Sequence, residues 1–134
     1  MDHKKHAEFS LRHILSFPLI WSVALPLVIT DLWIEIYHRI CFPLYGLSYI
    51  KRKSYIRIDR HKLGYLNWFE KAACAYCGYG NGVIGYWVAI AAATEKYWCG
   101  IKHKKDKEFN EPAHHQDFLT YGDKDSFDKF MCDK

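Results

Sequence analysis

Cys74-Ala75-Tyr76-Cys77-Gly78-Tyr79-Gly80-Asn81-Gly82 is the stretch on which the fold turns. Glycine and asparagine favour turns, so residues 78–82 predict a loop. On its N-terminal side Leu63, Leu66, Trp68, Phe69, Ala72 and Ala73 give a helix from Arg60, with Asp59 as its cap. On its C-terminal side an apolar run predicts a second helix from Val83 to Trp98. Residues 60–103 therefore read as a small helical hairpin. The alternative is a second membrane span, because Ala72 to Thr94 carries no charge.

The same stretch begins a ligand pattern. Cys74, Cys77, Cys99 and His103 form C-x2-C followed by C-x3-H, a donor set suited to tetrahedral zinc, with iron as the alternative. A straight helix over 83–98 rises about 24 Å, whereas five extended residues reach about 17 Å. One site closes only if that helix is shorter or the ligands pair between chains. The competing reading is a hairpin with buried thiols, since cysteine packs as a small apolar residue. A thiol redox role is less suited, because Cys74 falls at a helix C-terminus, where the dipole disfavours thiolate. Glu35-x-x-His38 and Glu111-x-x-His114 have the spacing of carboxylate–histidine metal ligands. Pro112 interrupts the second copy, and supporting glutamates are not evident.

Working outward, Ile14 to Thr30 is free of charge, and extension to Ile36 supplies the length to cross a bilayer and brings in Asp31 and Glu35. Residues 14–42 are the expected transmembrane anchor, after a polar arm over 1–13. A cleaved signal peptide fits poorly, because no small-residue cleavage site follows the apolar run. Phe42-Pro43-Leu44-Tyr45-Gly46 ends the helix. Residues 43–59 read as an interfacial connection, aromatic first and then basic through Lys51, Arg52 and Lys53, with a short strand at 54–58. The basic excess after the anchor places the C-terminal part in the cytoplasm. Residues 104–134 are polar, with one further helical turn capped by Ser126 and carrying Phe127, Phe130 and Met131.

The chain has 134 residues, five cysteines and a formal charge of +4. An odd cysteine count argues against a complete disulfide framework. The charge is modest and clustered, which suits anionic surfaces and not nucleic-acid reading. Nucleotide loops, nucleophile elbows and zinc-protease motifs are absent, so the sequence leans away from an enzyme without deciding it.

Several motifs together resemble an uncharacterised family of small bacterial membrane proteins. They are Phe42-Pro43-Leu44-Tyr45-Gly46, Ile58-Asp59-Arg60, Tyr65-Leu66-Asn67, the Cys74–Gly82 stretch, Thr94-Glu95-Lys96-Tyr97-Trp98-Cys99, Ile101-Lys102-His103 and Tyr121-Gly122-Asp123. The family pattern has charged residues where this chain has Val88, Ala89 and Ala93, and a proline at Gly100. The resemblance implies a membrane setting, a bacterial inner membrane, and no known activity.

The expected architecture is mainly α, with one transmembrane helix and a cytoplasmic hairpin bearing the Cys/His cluster. The expected function is a membrane-anchored structural or accessory subunit with a possible structural zinc. The alternative is a membrane-bound electron carrier or thiol redox protein. The bilayer is one partner. The helix over 83–93 is apolar on more than one face, so a homo-oligomer or a membrane-complex partner is expected there.

Overall fold

A computed structural model describes residues 11–133. Most of the N-terminal polar arm lies outside them. The described chain is mainly helical: α1 (Leu11–Ser22), α2 (Ala24–Leu44), α3 (Trp68–Trp98) and α4 (Lys124–Cys132). It divides into two compact units, with the boundary between Tyr86 and Trp87, inside α3.

In the first unit α1 and α2 form one helical run broken only at Val23. Pro26 explains the break, because it has no N–H for the Ser22 carbonyl and its ring crowds that turn. The α-helical ladder resumes at once, with Leu27 N–H bonded to the Val23 carbonyl at 3.1 Å. Ile14–Leu44 is long and apolar enough to cross a membrane, and only 6% of its most apolar window is buried. A core helix would be mostly covered. At the end of α2, Gly46 takes φ +68 and Leu47 N–H closes back on the Phe42 carbonyl at 2.9 Å. That left-handed residue reverses the chain, and glycine adopts it without a Cβ clash.

The connection then runs back along the helices. The expected strand at 54–58 does not form, and no strand occurs among the described residues. Arg52–Ser54 and Arg60–Lys62 are single 3-10 turns, and Asp59 makes no side-chain cap. The helix begins later, at Asn67, through a reciprocal capping box. Asn67 Oδ1 accepts Glu70 N–H and Glu70 Oε2 accepts Asn67 N–H, both at 2.8 Å.

The predicted loop at Gly78–Gly82 is helix. α3 passes through it without interruption, so the hairpin turn does not exist. The reason lies in what crosses the glycines. A Cβ at Gly78 would stand 2.8 Å from the Arg57 carbonyl oxygen, and one at Gly82 would stand 2.8 Å from the Tyr55 oxygen and the Ile56 Cα. These two glycines, one helical turn apart, are the floor on which the connection's backbone lies. Each glycine costs about 1 kcal/mol of helix propensity, offset by packing that no side chain would permit.

α3 runs beside α1–α2 in the same direction. The Phe17 and Phe69 rings stack at 5.7 Å, Tyr76 donates to the Ile20 carbonyl at 2.8 Å, and Gly80 approaches Leu27. Further along, Tyr79 reaches Asp31 and Tyr86 reaches Glu35.

The second unit holds the last turns of α3 and everything after them. Gly100, at φ +60, stops α3, with the Cys99 and Gly100 N–H groups both on the Glu95 carbonyl. The segment expected to be a polar tail packs. Ile101 and Leu119 form an isolated parallel bridge, a 3-10 turn covers Ala113–Asp117, and His115 and Phe118 are buried. α4 is capped by Asp123, whose carboxylate accepts the Ser126 N–H and hydroxyl. Ser126 is thus the capped residue and not the cap.

Candidate functional sites

Two polar clusters stand out, one in each unit. In the first, Asp31, Glu35 and His38 recur at helical spacing on one face of α2. They meet α3 through Tyr79 and Tyr86, and the connection through Arg52. Arg52 grips Asp31 with both guanidinium ends, Nη1 to Oδ1 at 2.7 Å and Nη2 to Oδ2. Tyr79 donates to Asp31 Oδ2 at 2.7 Å. Glu35 accepts from Arg39 Nε at 2.8 Å and lies 3.8 Å from Arg52. The bond to Asp31, against the opposing effect of burial, holds the Arg52 guanidinium above its usual range. Burial and then the Asp31 carboxylate push the Tyr79 hydroxyl up to about 12.

His38 is 2% exposed and its tautomer follows from its partners. Nε2 takes the Ile50 backbone N–H at 3.1 Å, so Nε2 carries the lone pair. Nδ1 then holds the proton and donates it to the Tyr86 oxygen at 2.9 Å. Tyr86 in turn donates its own proton to Glu35 Oε2 at 3.0 Å. The chain His38 to Tyr86 to Glu35 therefore has one direction. It borders a pocket of about 280 Å3 also lined by Tyr49 and Arg52. The Glu35-x-x-His38 spacing correctly marks two residues of one polar site. Their partners are a tyrosine and arginines in place of further carboxylates.

In the second unit Glu95, near the end of α3, collects three imidazoles from the returning chain. His114 Nε2 lies 3.0 Å from its Oε2, and His115 Nε2 lies 3.3 Å from its Oε1. The His103 ring is 5.5 Å from that of His115. One donor atom each from Glu95, His103 and His115 fall within 4.8 Å of one another. Burial raises the Glu95 pKa, but hydrogen bonds from His114 and His115 outweigh it and hold the carboxyl below its usual value. His115 is 1% exposed, and its Nδ1 has no hydrogen-bond partner. Such an orphaned buried group costs about 1–3 kcal/mol.

Of the four residues expected to bind metal, only His103 enters such a cluster. Cys74 and Cys77 lie one turn apart on α3, and Cys99 follows its last residue. Cys74 and Cys77 belong to the first unit, and Cys99 and His103 to the second. All five cysteines are free thiols. Glu95 and His115 were not singled out by the sequence reading. The adjacent His114-His115 pair was the available signal, and its link to Glu95 required the fold.

No family model, curated protein or solved structure matches this chain.

Proposed function

We propose that this chain is a membrane-attached structural or accessory protein, and that its first unit lies along one face of the bilayer instead of across it. Leu25, Ile29, Leu32, Ile36 and Ile40 form an exposed apolar row on α2. Asp31 and His38, which meet the connection, occupy the opposite face by helical spacing.

The observation that carries the reading is the course of the connection. It starts at His38, passes Asp31 at Arg52, and reaches Gly78 at Arg57. Gly78 lies between Tyr76, which meets Ile20, and Gly80, which meets Leu27. Arg57 is thus level with the charge-free part of the helix, and Lys53 and Arg57 are exposed. Were α1–α2 to stand upright in a bilayer, these side chains would sit at hydrocarbon depth. That costs about 2.5–3.5 kcal/mol for each at the centre. In the plane of the interface, the apolar row enters the acyl region by about 5–10 Å and the basic residues meet anionic headgroups. The membrane face is the cytoplasmic one, in keeping with the excess of lysine and arginine. A contact of α3 with a second protein or a second copy is part of this proposal, and the exposed Ile84 supports it.

The test uses the full chain in oriented vesicles. It carries an N-terminal epitope tag and a single cysteine from Ser48→Cys, with the native cysteines replaced by serine. An in-plane chain resists salt extraction and presents both reporters on the same side. Reporters on opposite sides would establish a spanning anchor and overturn the in-plane placement. Recovery in the soluble fraction would overturn membrane attachment itself.

A further inference from the structure

We propose that Glu95, His103 and His115 form a binding site for one divalent transition-metal cation of the zinc class, with His114 orienting the carboxylate. The donor set is two imidazoles and a carboxylate, the ligands that borderline cations such as zinc, cobalt and nickel prefer. The three donor atoms fall within 4.8 Å of one another. A tetrahedral site with bonds of 2.0–2.1 Å separates its ligands by about 3.3 Å. The Glu95–His115 pair is already at 3.3 Å. Closure asks for about 1.5 Å more from the set, within reach of the exposed His103 side chain.

His115 is nearly wholly buried, and one of its two ring nitrogens has no protein partner. Neutral or cationic, the ring leaves that nitrogen unsatisfied. That nitrogen is Nδ1, whereas Nε2 is the one that faces Glu95 and would hold the ion. His114 completes the arrangement from outside, because its Nε2 lies on Glu95 Oε2 at 3.0 Å and leaves Oε1 for the ion. Histidine–carboxylate contacts of this kind orient ligands around metal centres. Three protein ligands leave a fourth position for water or an exogenous donor, unlike the closed four-ligand site expected from the cysteines.

The site is tested on the purified full chain by titration with Co2+, reading the visible d–d absorbance, followed by displacement with Zn2+. Saturable binding of one ion per chain is expected. Glu95→Gln and His103→Ala should each weaken it at least tenfold. His103 is exposed, so His103→Ala retains the fold, checked by circular dichroism, even if a change at buried His115 does not. Cys74→Ser and Cys77→Ser should leave binding unchanged. No saturable binding, or binding unaffected by both Glu95→Gln and His103→Ala, would overturn the site. Loss of binding in Cys74→Ser with retention in His103→Ala would also overturn it, in favour of the cysteines.

Discussion

The polar cluster of the first unit is closed, whereas that of the second is open. Around Asp31, Glu35 and His38 each bond has a fixed donor and acceptor, and no buried side-chain nitrogen or oxygen among the described residues of that unit lacks a partner. Around Glu95, three imidazoles converge on one carboxylate, and a buried nitrogen is left over. A network that satisfies itself holds a fold together, and adding a ligand would break bonds it already has. A surplus of donors with one acceptor has capacity for something else. Similar residue types thus serve as a fastener in one unit and as a receptor in the other.

The sharpest way to break this contrast is to open the closed cluster. Arg52→Ala leaves Asp31 buried against Tyr79 without its cation. Loss of one partner of a buried pair costs about 3–5 kcal/mol, and the partial exposure of Arg52 puts the expected loss near the lower end. Thermal unfolding in mild detergent should show it, and Asp31→Leu combined with Arg52→Leu should recover much of it. An unchanged midpoint in Arg52→Ala would mean that the pair does not fasten the connection.

Tyr86→Phe interrupts the directed chain at its centre and strands His38 Nδ1. A loss of about 1–3 kcal/mol is expected. The same measurement on His114→Ala in the second unit should give less, because His114 lies nearer the surface. Equal losses would erase the distinction between the units.

The glycine floor sharpens the comparison within one helix. Gly82→Ala places a methyl group 2.8 Å from the Tyr55 oxygen and the Ile56 Cα, and overpacking costs about 1–3 kcal/mol. Gly80→Ala meets Leu27 at an ordinary 3.6 Å and should gain most of the roughly 1 kcal/mol of helix propensity. Two substitutions of like sign would show that the connection does not rest on Gly82.

The smallest expected effect is in pH. The folded pKa of Glu95 lies below its ordinary value. Its contribution to stability is therefore complete above the ordinary carboxylate range and is lost as the pH falls through the lowered value. Glu95→Gln should flatten the acid limb of a stability–pH profile without moving the neutral plateau's slope. An identical acid limb in the two proteins would remove Glu95 from the account.

Much of the outline was legible because it depends on local pattern. The charge-free run from Ile14 and the stop at Phe42–Gly46 follow from hydropathy and helix breakers, and the apolar spacing of Phe127, Phe130 and Met131 marked a last helical turn, although its cap is Asp123 and not the expected Ser126. The Gly78–Gly82 stretch was misread because composition reports what glycine permits and not why it is there. Glycines four apart also make a flat helix face, and only the crossing of residues 55–57 shows that they do so here. The cysteine pattern depended on the same stretch, since closing one site within a chain called for a turn there, and the glycines are helical instead. The Glu95 cluster was hidden for another reason. It is closed by chain that returns after an apparently solvated lysine run, and nothing local to Lys104–Glu108 announces the burial of His115.

The parallel course of α1–α2 and α3 has a consequence for the chain as it is made. Asp31, Glu35 and His38 bond to tyrosines that follow them by 48 to 51 positions. At about 5–20 residues per second, the N-terminal helix is synthesised several seconds before the residues that will cover its polar face. Through that interval it is a nascent segment with one greasy side and one charged side, both unmatched. The newborn helix thus needs a temporary host, and a lipid surface or a chaperone can serve until Tyr79 and Tyr86 emerge.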